Sequence, residues 1–259
     1  MPNTACYPSL QGRTVFISGG ASGIGASFVE QFHAQGAQVG FVDLDADAAA
    51  ALLARIAAGP HTAGAPVPLF SRCDVTDVEA LRAAIEGTRE AFGPVAVLVN
   101  NAANDRRHRV EEVTPESWDR CLNVNLRHQF FAAQAVVDDM AALGGGSIVN
   151  LGSTSWMIKG AGYPAYAATK AAVLGLTRAL ARDLGPRNIR VNALVPGWVM
   201  TERQLKQWIT PEAEQAIDAN QCLPGRLQPA DIAAMALFLA ADDSRMCTAQ
   251  SFIVDAGWA

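Results

Sequence analysis

Lysine is scarce in this chain. Only three lysines, Lys159, Lys170 and Lys206, occur among 259 residues, and the formal net charge is −5. A surface of that sign repels a phosphate backbone, so no nucleic-acid partner is expected. Tyrosine is equally rare, with only Tyr7, Tyr163 and Tyr166. Long apolar runs are missing; none approaches the roughly 18 residues of a membrane span, so no membrane partner is expected. The first residues, MPNTACYPSLQGR, hold neither the basic start nor the apolar stretch of a secretory signal. The five cysteines (Cys6, Cys73, Cys121, Cys222, Cys247) are odd in number and scattered, with no CxxC pair. A reducing, cytoplasmic setting is the expectation. His33, His61, His108 and His128 show no metal-ligand spacing, so no metal is expected. There is no repeat, low-complexity tract or linker to divide the chain.

What is present is a large apolar fraction, 50% of residues, arranged in alternating short and long patterns. Short apolar runs at 14–18, 38–43, 67–73, 95–100, 147–151, 189–195 and 251–254 read as strands. Helical patterns fall at 21–35, 46–58 (closed by Gly59-Pro60), 78–92, 114–142 and 164–184. In the fourth of these, Thr114 is expected to cap, with Pro115 at the first helical position and Ser117 in the first turn. Continuous apolar strands suit a parallel sheet covered on both faces. The alternation predicts right-handed crossovers and one α/β domain over 1–259: a doubly wound, Rossmann-like parallel sheet of about seven strands with helices on both faces.

The chemistry concentrates in residues 147–170. Ser153 follows an apolar strand, at the end where open α/β sheets keep ligands. Tyr166 and Lys170 stand four positions apart in the next helical pattern, so they share a face. A phenol titrates near pH 10 and is a poor base at neutrality, but an adjacent cation favours the phenolate. The trio therefore reads as a general base with its electrostatic partner and a hydroxyl donor. The plainer alternative is a core tyrosine and a solvated lysine.

Between the first strand and its helix lies Ser18-Gly19-Gly20-Ala21-Ser22-Gly23-Ile24-Gly25. Glycines at 19, 23 and 25 allow a tight turn and close backbone approach to a pyrophosphate at a helix N-terminus. A simple turn would carry the same glycines. The second strand ends at Asp43, whose carboxylate can accept ribose hydroxyls and would repel a 2′-phosphate; no Lys or Arg lies between 18 and 25. NAD is favoured over NADP. Asp43 could instead start the next helix, a role that Asp45 can also fill.

Together these residues resemble the short-chain dehydrogenase/reductase family, over nearly the whole chain. Residues 18–25 resemble its glycine loop, with Ser18 in place of threonine. Asn100-Asn101-Ala102-Ala103 resembles its N-N-A-G segment, with Ala103 in place of glycine. Asn125, Ser153, Tyr166 and Lys170 match its catalytic tetrad, Asp74-Val75 its adenine-contacting pair, and Pro196-Gly197 the turn after its sixth strand. The resemblance implies a cofactor site of Ser18, Gly19, Ser22, Gly23, Ile24, Gly25, Asp43, Asp74, Val75, Asn101, Ala102, Tyr166, Lys170, Pro196, Gly197, Val199 and Thr201. It also implies proton exchange by Tyr166, a substrate hydrogen bond from Ser153, ribose binding by Lys170, and a water held by Asn125. Alone, Asn125 could equally satisfy a helix kink.

The stretches around residues 100–136 and the ending DAGW resemble the sugar 1-dehydrogenase branch of that family, which includes D-xylose 1-dehydrogenases and oxidises aldoses to lactones with NAD. Asn104, Trp156 and Trp198, with Ser153 and Tyr166, are the expected substrate residues. Each tryptophan could also be packing under a loop. Arg106, Arg107 and Arg109 read as a solvated run or as a greeting for a sugar-acid carboxylate. A sugar-acid, polyol or 3-oxoacyl oxidoreductase, or a catalytically silent nucleotide sensor, are the competing readings. A lid is expected over 201–221, long for a simple connection. The apolar run at 251–254 is expected at a sheet edge, and small residues on the two long helices suggest close contacts with other copies. A D₂ homotetramer is expected, with Trp258 near an interface or a neighbouring site.

Overall fold

The computed structural model describes residues 5–59 and 64–259. Pro60 and His61 lie outside the described residues. Seven strands form one parallel sheet in the order β3-β2-β1-β4-β5-β6-β7. They are β1 (Thr14–Ser18), β2 (Gln38–Asp43), β3 (Leu69–Arg72), β4 (Val95–Asn100), β5 (Gly146–Leu151), β6 (Ile189–Pro196) and β7 (Ser251–Val254). β1 pairs in parallel with both β2 and β4, so the chain reverses its direction of travel across the sheet at that point. The crevice at such a reversal is where open α/β sheets bind ligands.

Side chains alternate across the sheet and sort the helices into two layers. Val15 and Ile17 face a core shared with α1 (Gly23–Ala34), α2 (Ala46–Ala58) and α9 (Pro229–Ala240). Phe16, between them, faces the opposite core with α3 (Val78–Phe92), α5 (His128–Ala142) and α6 (Pro164–Leu184). Every residue of β1 and β4 is buried, which is why their interiors, residues 15–17 and 95–99, read as apolar runs. Among the described residues no helix is long and apolar enough to cross a membrane.

Four elements differ from the sequence expectation. The first helix starts at Gly23, not at 21, because Ser22 is still extended and Gly23 has φ +55°. β3 is shorter than the expected 67–73. The helix expected over 114–142 is divided into α4 (Pro115–Leu122) and α5, joined by a π-helical turn at Asn123–Arg127. Its start is as expected: the Thr114 hydroxyl accepts from Ser117 N at 3.2 Å, and Ser117 Oγ accepts from Thr114 N at 2.9 Å. The fourth difference is α9, where no element was expected. Pro229 opens it, and the Asp231 carboxylate accepts from Gln228 N at 2.7 Å. Its buried Ile232, Leu237 and Leu239 cover the sheet beside α1. Each such side chain contributes about 1.5–3 kcal/mol by leaving water. The expected lid region is two short helices, α7 (Glu202–Gln207) and α8 (Pro211–Asn220). β7 closes the sheet at one edge, as expected.

Candidate active site

The glycine loop between β1 and α1 is packed so tightly that side chains are excluded. A Cβ on Gly25 would lie 1.8 Å from Gly19 O, and one on Gly19 would lie 2.7 Å from Ala102 Cα. Gly19 is also left-handed, at φ +69°. Ser18 sits behind this loop, fully buried, and its hydroxyl accepts from Asn101 N and Ala102 N, both at 3.1 Å. Asn101 returns the contact: its Nδ2 donates to Gly19 O at 2.7 Å and to Ser18 O at 3.1 Å. The ends of β1 and β4 are thereby locked together. Backbone N–H groups at the start of α1 are left bare for a pyrophosphate.

A cavity of about 1120 Å³ runs along the carboxyl ends of the strands. All of the expected cofactor residues line it except Ser18, which supports the loop from behind. Asp43 lies at its far end. Its Oδ2 accepts from Ala21 N at 2.9 Å, and its Oδ1 accepts from Leu44 N at 2.7 Å and Asp45 N at 3.2 Å. Asp45 caps α2 through Ala48 N at 2.9 Å. So Asp45 takes the helix start, but Asp43 is held in place by the backbone around it. Asp74 is held similarly, its Oδ1 accepting from Thr76 N and Oγ1 at 2.9 and 2.8 Å. Thr201 lines the cavity and also caps α7, its Oγ1 accepting from Gln204 N at 3.3 Å.

At the other end Ser153, Tyr166 and Lys170 converge. Lys170 is 1% exposed, and its Nζ donates to Leu151 O at 2.8 Å. The ammonium lies 5.6 Å from the centroid of the Tyr166 ring. Burial pulls Lys170 down to about 8, against the opposing pull of Cys121 and Asp105. Tyr166 keeps one side on the cavity while its hydroxyl lies deep. Burial pushes it well above the ordinary phenol range, Asp105 adds to that, and a hydrogen bond with Ser153 opposes it. The sequence suggested a phenol depressed by the neighbouring ammonium; in the chain without cofactor, burial and the Asp105 charge raise it instead.

Asn125 does not line this cavity. It is fully buried in the π-helical turn, where Nδ2 donates to Cys121 O at 2.9 Å and to Asn104 O at 3.2 Å. Its Oδ1 accepts from Asn104 N at 2.8 Å. The asparagine satisfies the distorted helix and ties the loop after β4 to it.

Of the expected substrate residues, Asn104 and Trp198 line the cavity with Ser153 and Tyr166. Trp156 does not; it is 38% exposed on a single 3₁₀ turn. Asp105, Tyr163 and Gln204 also line the cavity and were not expected to touch substrate; Arg107, read as a solvated run or a carboxylate contact, and Trp258, expected near an interface or a neighbouring site, line it too. Trp258 stacks near Trp198 of its own chain, with ring centroids 6.2 Å apart, so the tail reaches its own site. The tail is fixed by Asp255, which accepts from Gly257 N at 2.8 Å and Ala259 N at 2.7 Å. The Arg107 guanidinium lies 4.2 Å from the Trp208 ring centroid. A Gly-lined pyrophosphate cradle and an ordered carboxylate at one end, with a Ser–Tyr–Lys cluster at the other, fit a nicotinamide dinucleotide. Comparisons with known proteins agree. A family model described as enoyl-(acyl carrier protein) reductase matches residues 19–259.

The chain belongs to the short-chain dehydrogenase/reductase family. It is an oxidoreductase, and that family uses nicotinamide cofactors. It is 47% identical over 257 residues to the D-xylose 1-dehydrogenase of Caulobacter vibrioides, covering 99% of each chain. It is 47% identical over 251 residues to the "Probable galactose dehydrogenase" of Rhizobium meliloti, covering 97% of this chain and 96% of that one. A blue fluorescent protein from a metagenomic library, solved in complex with NADPH, superposes with a TM-score of 0.87 at 37% identity, covering 97% of this chain and 99% of that one.

Proposed function

We propose that the chain is an NAD-dependent aldose 1-dehydrogenase, oxidising a pentose or hexose at C1 to the lactone. The observation that carries this reading is the composition of the cavity around Tyr166. Aromatic Trp198, Trp258 and Tyr163 line it together with the polar Asn104, Asp105 and Gln204. Sugars present C–H faces and hydroxyl edges to such a mixture. Two relatives sharing 47% of residues are a named xylose and a named galactose dehydrogenase.

Tyr166 Oη is the group that takes the proton from the C1 hydroxyl, and Ser153 Oγ is the donor that holds the same oxygen. Lys170, anchored on Leu151 O, supplies a positive charge and two remaining N–H donors for ribose hydroxyls. When bound, the nicotinamide ring accepts the hydride from C1. Ordered as it is, the Asp43 carboxylate favours NAD, since a 2′-phosphate would meet a negative charge. α7 and α8 form a lid over the substrate end, excluding water from the reacting groups.

A second reading, a sugar-acid dehydrogenase, draws on Arg107. Among the described residues no carboxylate pairs with its guanidinium, which lies on the cavity wall. The test is a screen of NAD and NADP reduction across neutral aldoses, polyols and uronic or aldonic acids. Lactone formation from a neutral aldose with NAD is the expected result. Turnover confined to acids or polyols would replace the reading.

A further inference from the structure

One carboxylate joins the lid to the loop after β4. Asp105 Oδ1 pairs with Arg203 Nη2 at 2.9 Å, and its Oδ2 accepts from Gln204 Nε2 at 2.7 Å. Both partners stand on α7. Gln204 Oε1 in turn accepts from Trp198 Nε1 at 2.9 Å, and Arg203 reaches Asn104 Oδ1 at 3.3 Å. Each carboxylate oxygen can accept two hydrogen bonds, and each has one occupied. The side chain keeps 29% of its surface exposed, and it lines the cavity together with Ser153 and Tyr166.

A carboxylate is a poor choice for a plain latch at this position. Its charge opposes proton loss from Tyr166, and it contributes to the raised pKa of that phenol, second to burial. An asparagine would accept from only one of Gln204 and Arg203, so the two donors account for two of the carboxylate's acceptor positions and leave the two others facing the cavity. What a neutral amide lacks is the strength of a charged acceptor. Hydrogen bonds from hydroxyls to an ionised carboxylate are roughly twice as strong as neutral ones. A polyhydroxylated substrate supplies such donors; a simple alcohol or ketone does not.

We propose that Asp105 is a specificity-determining residue, its carboxylate accepting a hydrogen bond from a second hydroxyl of the substrate, distinct from the one oxidised at Tyr166. The proposal deepens the aldose reading and rests on it. Its consequence is that the lid helix is held by the same carboxylate that reads the sugar. A substrate lacking the hydroxyl leaves the cavity-facing acceptor position of this carboxylate unfilled, which disfavours it.

The test is a set of paired deletions. kcat/KM with NAD is measured for the wild type and Asp105→Ala on the best aldose found and on its 2-deoxy, 3-deoxy and 4-deoxy forms. Asp105→Ala is expected to lose about 10- to 100-fold on the parent sugar. At one carbon, removing the hydroxyl should cost the wild type a similar factor and the variant almost nothing, because the two deletions remove the same contact. Independent, multiplicative losses at all three carbons overturn the proposal and leave Asp105 as a lid contact alone. Arg203→Ala loosens the lid without removing the acceptor. It should lower kcat/KM by one common factor and keep the hydroxyl penalty; loss of that penalty in Arg203→Ala would also overturn the assignment. If Asp105→Ala does not fold, Asp105→Asn carries the same cycle with a smaller coupling. Absence of any aldose turnover by folded wild type that binds NAD overturns the aldose reading itself, and this inference with it.

Discussion

Replacing Lys170 with methionine separates what the ammonium costs the fold from what it gives the reaction. The side chain is 1% exposed, with a single protein acceptor, Leu151 O at 2.8 Å. Burial lowers its pKa from 10.5 to about 8. At about 1.36 kcal/mol per unit, the charged form costs the folded state on the order of 3 kcal/mol near neutral pH. Between pH 8 and 10.5 the unfolded chain binds this proton and the folded chain does not. Unfolding therefore takes up a proton in that window, and stability rises with pH. Below pH 8 the cost is nearly complete; above 10.5 it is gone. From pH 7 to pH 10 the wild type should recover about 2.5 kcal/mol from this group alone. Lys170→Met has no such group and no such recovery. It also leaves the Leu151 carbonyl without its partner, which costs about 1–3 kcal/mol. At pH 7 the two effects nearly offset, so the variant should be about as stable as the wild type. At pH 10 the same variant should have lost about 2.5 kcal/mol relative to it. Urea unfolding of both proteins at the two pH values reads this double difference directly. A difference that changes by less than about 0.5 kcal/mol between pH 7 and 10 would show that Lys170 titrates normally in the fold, and the argument would fail. Turnover should collapse at both pH values, because methionine offers neither charge nor donor.

Tyr166→Phe should keep nicotinamide cofactor binding nearly intact and lower kcat by orders of magnitude, since only the proton-transferring hydroxyl is lost; near-wild-type turnover would remove Tyr166 from the mechanism. Asp43→Ala should erode the preference for NAD, read as the ratio of kcat/KM for NAD and NADP; a wild type that uses both equally well would refute the role of Asp43. Amide hydrogen exchange over 201–221 should be faster than in the sheet and slow on adding cofactor and substrate; equally slow exchange in both conditions counts against a lid. Sedimentation equilibrium should give four times the 27.3 kDa chain mass for a D₂ tetramer built on the β7 edge and the faces of α4–α5 and α6; a mass near 27.3 kDa at micromolar concentration ends that proposal.

The sheet was legible because both of its faces are covered. Strands buried on two sides draw mostly apolar residues, and β1, β4 and β5 carry them at 15–17, at 95–99 and at 148, 149 and 151. α9 was not, for a related reason. It is apolar nearly all round, so it has no polar face from which to read a helical period. Its capping pair, Gln228 and Asp231, was the available signal. The Ser153–Tyr166–Lys170 cluster was legible because a strand end and a helix face fix it locally. The contacts that shape the substrate end were not. Asp105 meets Arg203 and Gln204 across about a hundred residues of chain, between an irregular loop and a six-residue helix too short to show a period.

Asn125 and Tyr166 show where residue type stops and environment begins. An asparagine at 125 reads equally as a relay or as the filler of a helix kink. In the fold its amide is spent on Cys121 O and on the backbone of Asn104. That ties the π-helical turn to the loop carrying Asp105, so a helix distortion fixes where the cavity's carboxylate stands. Tyr166 is subtler. Sequence supplies a cation four residues away and predicts a lowered phenol, but depth in the protein reverses the sign. The same depth brings Lys170 down to about 8, which leaves the ammonium still mostly charged at neutral pH. A bound cofactor's positive charge would add to that ammonium in favouring the phenolate, and a hydroxyl donated to Asp105 would weaken the negative charge that opposes it, so proton transfer is expected to be fastest with both ends of the cavity filled.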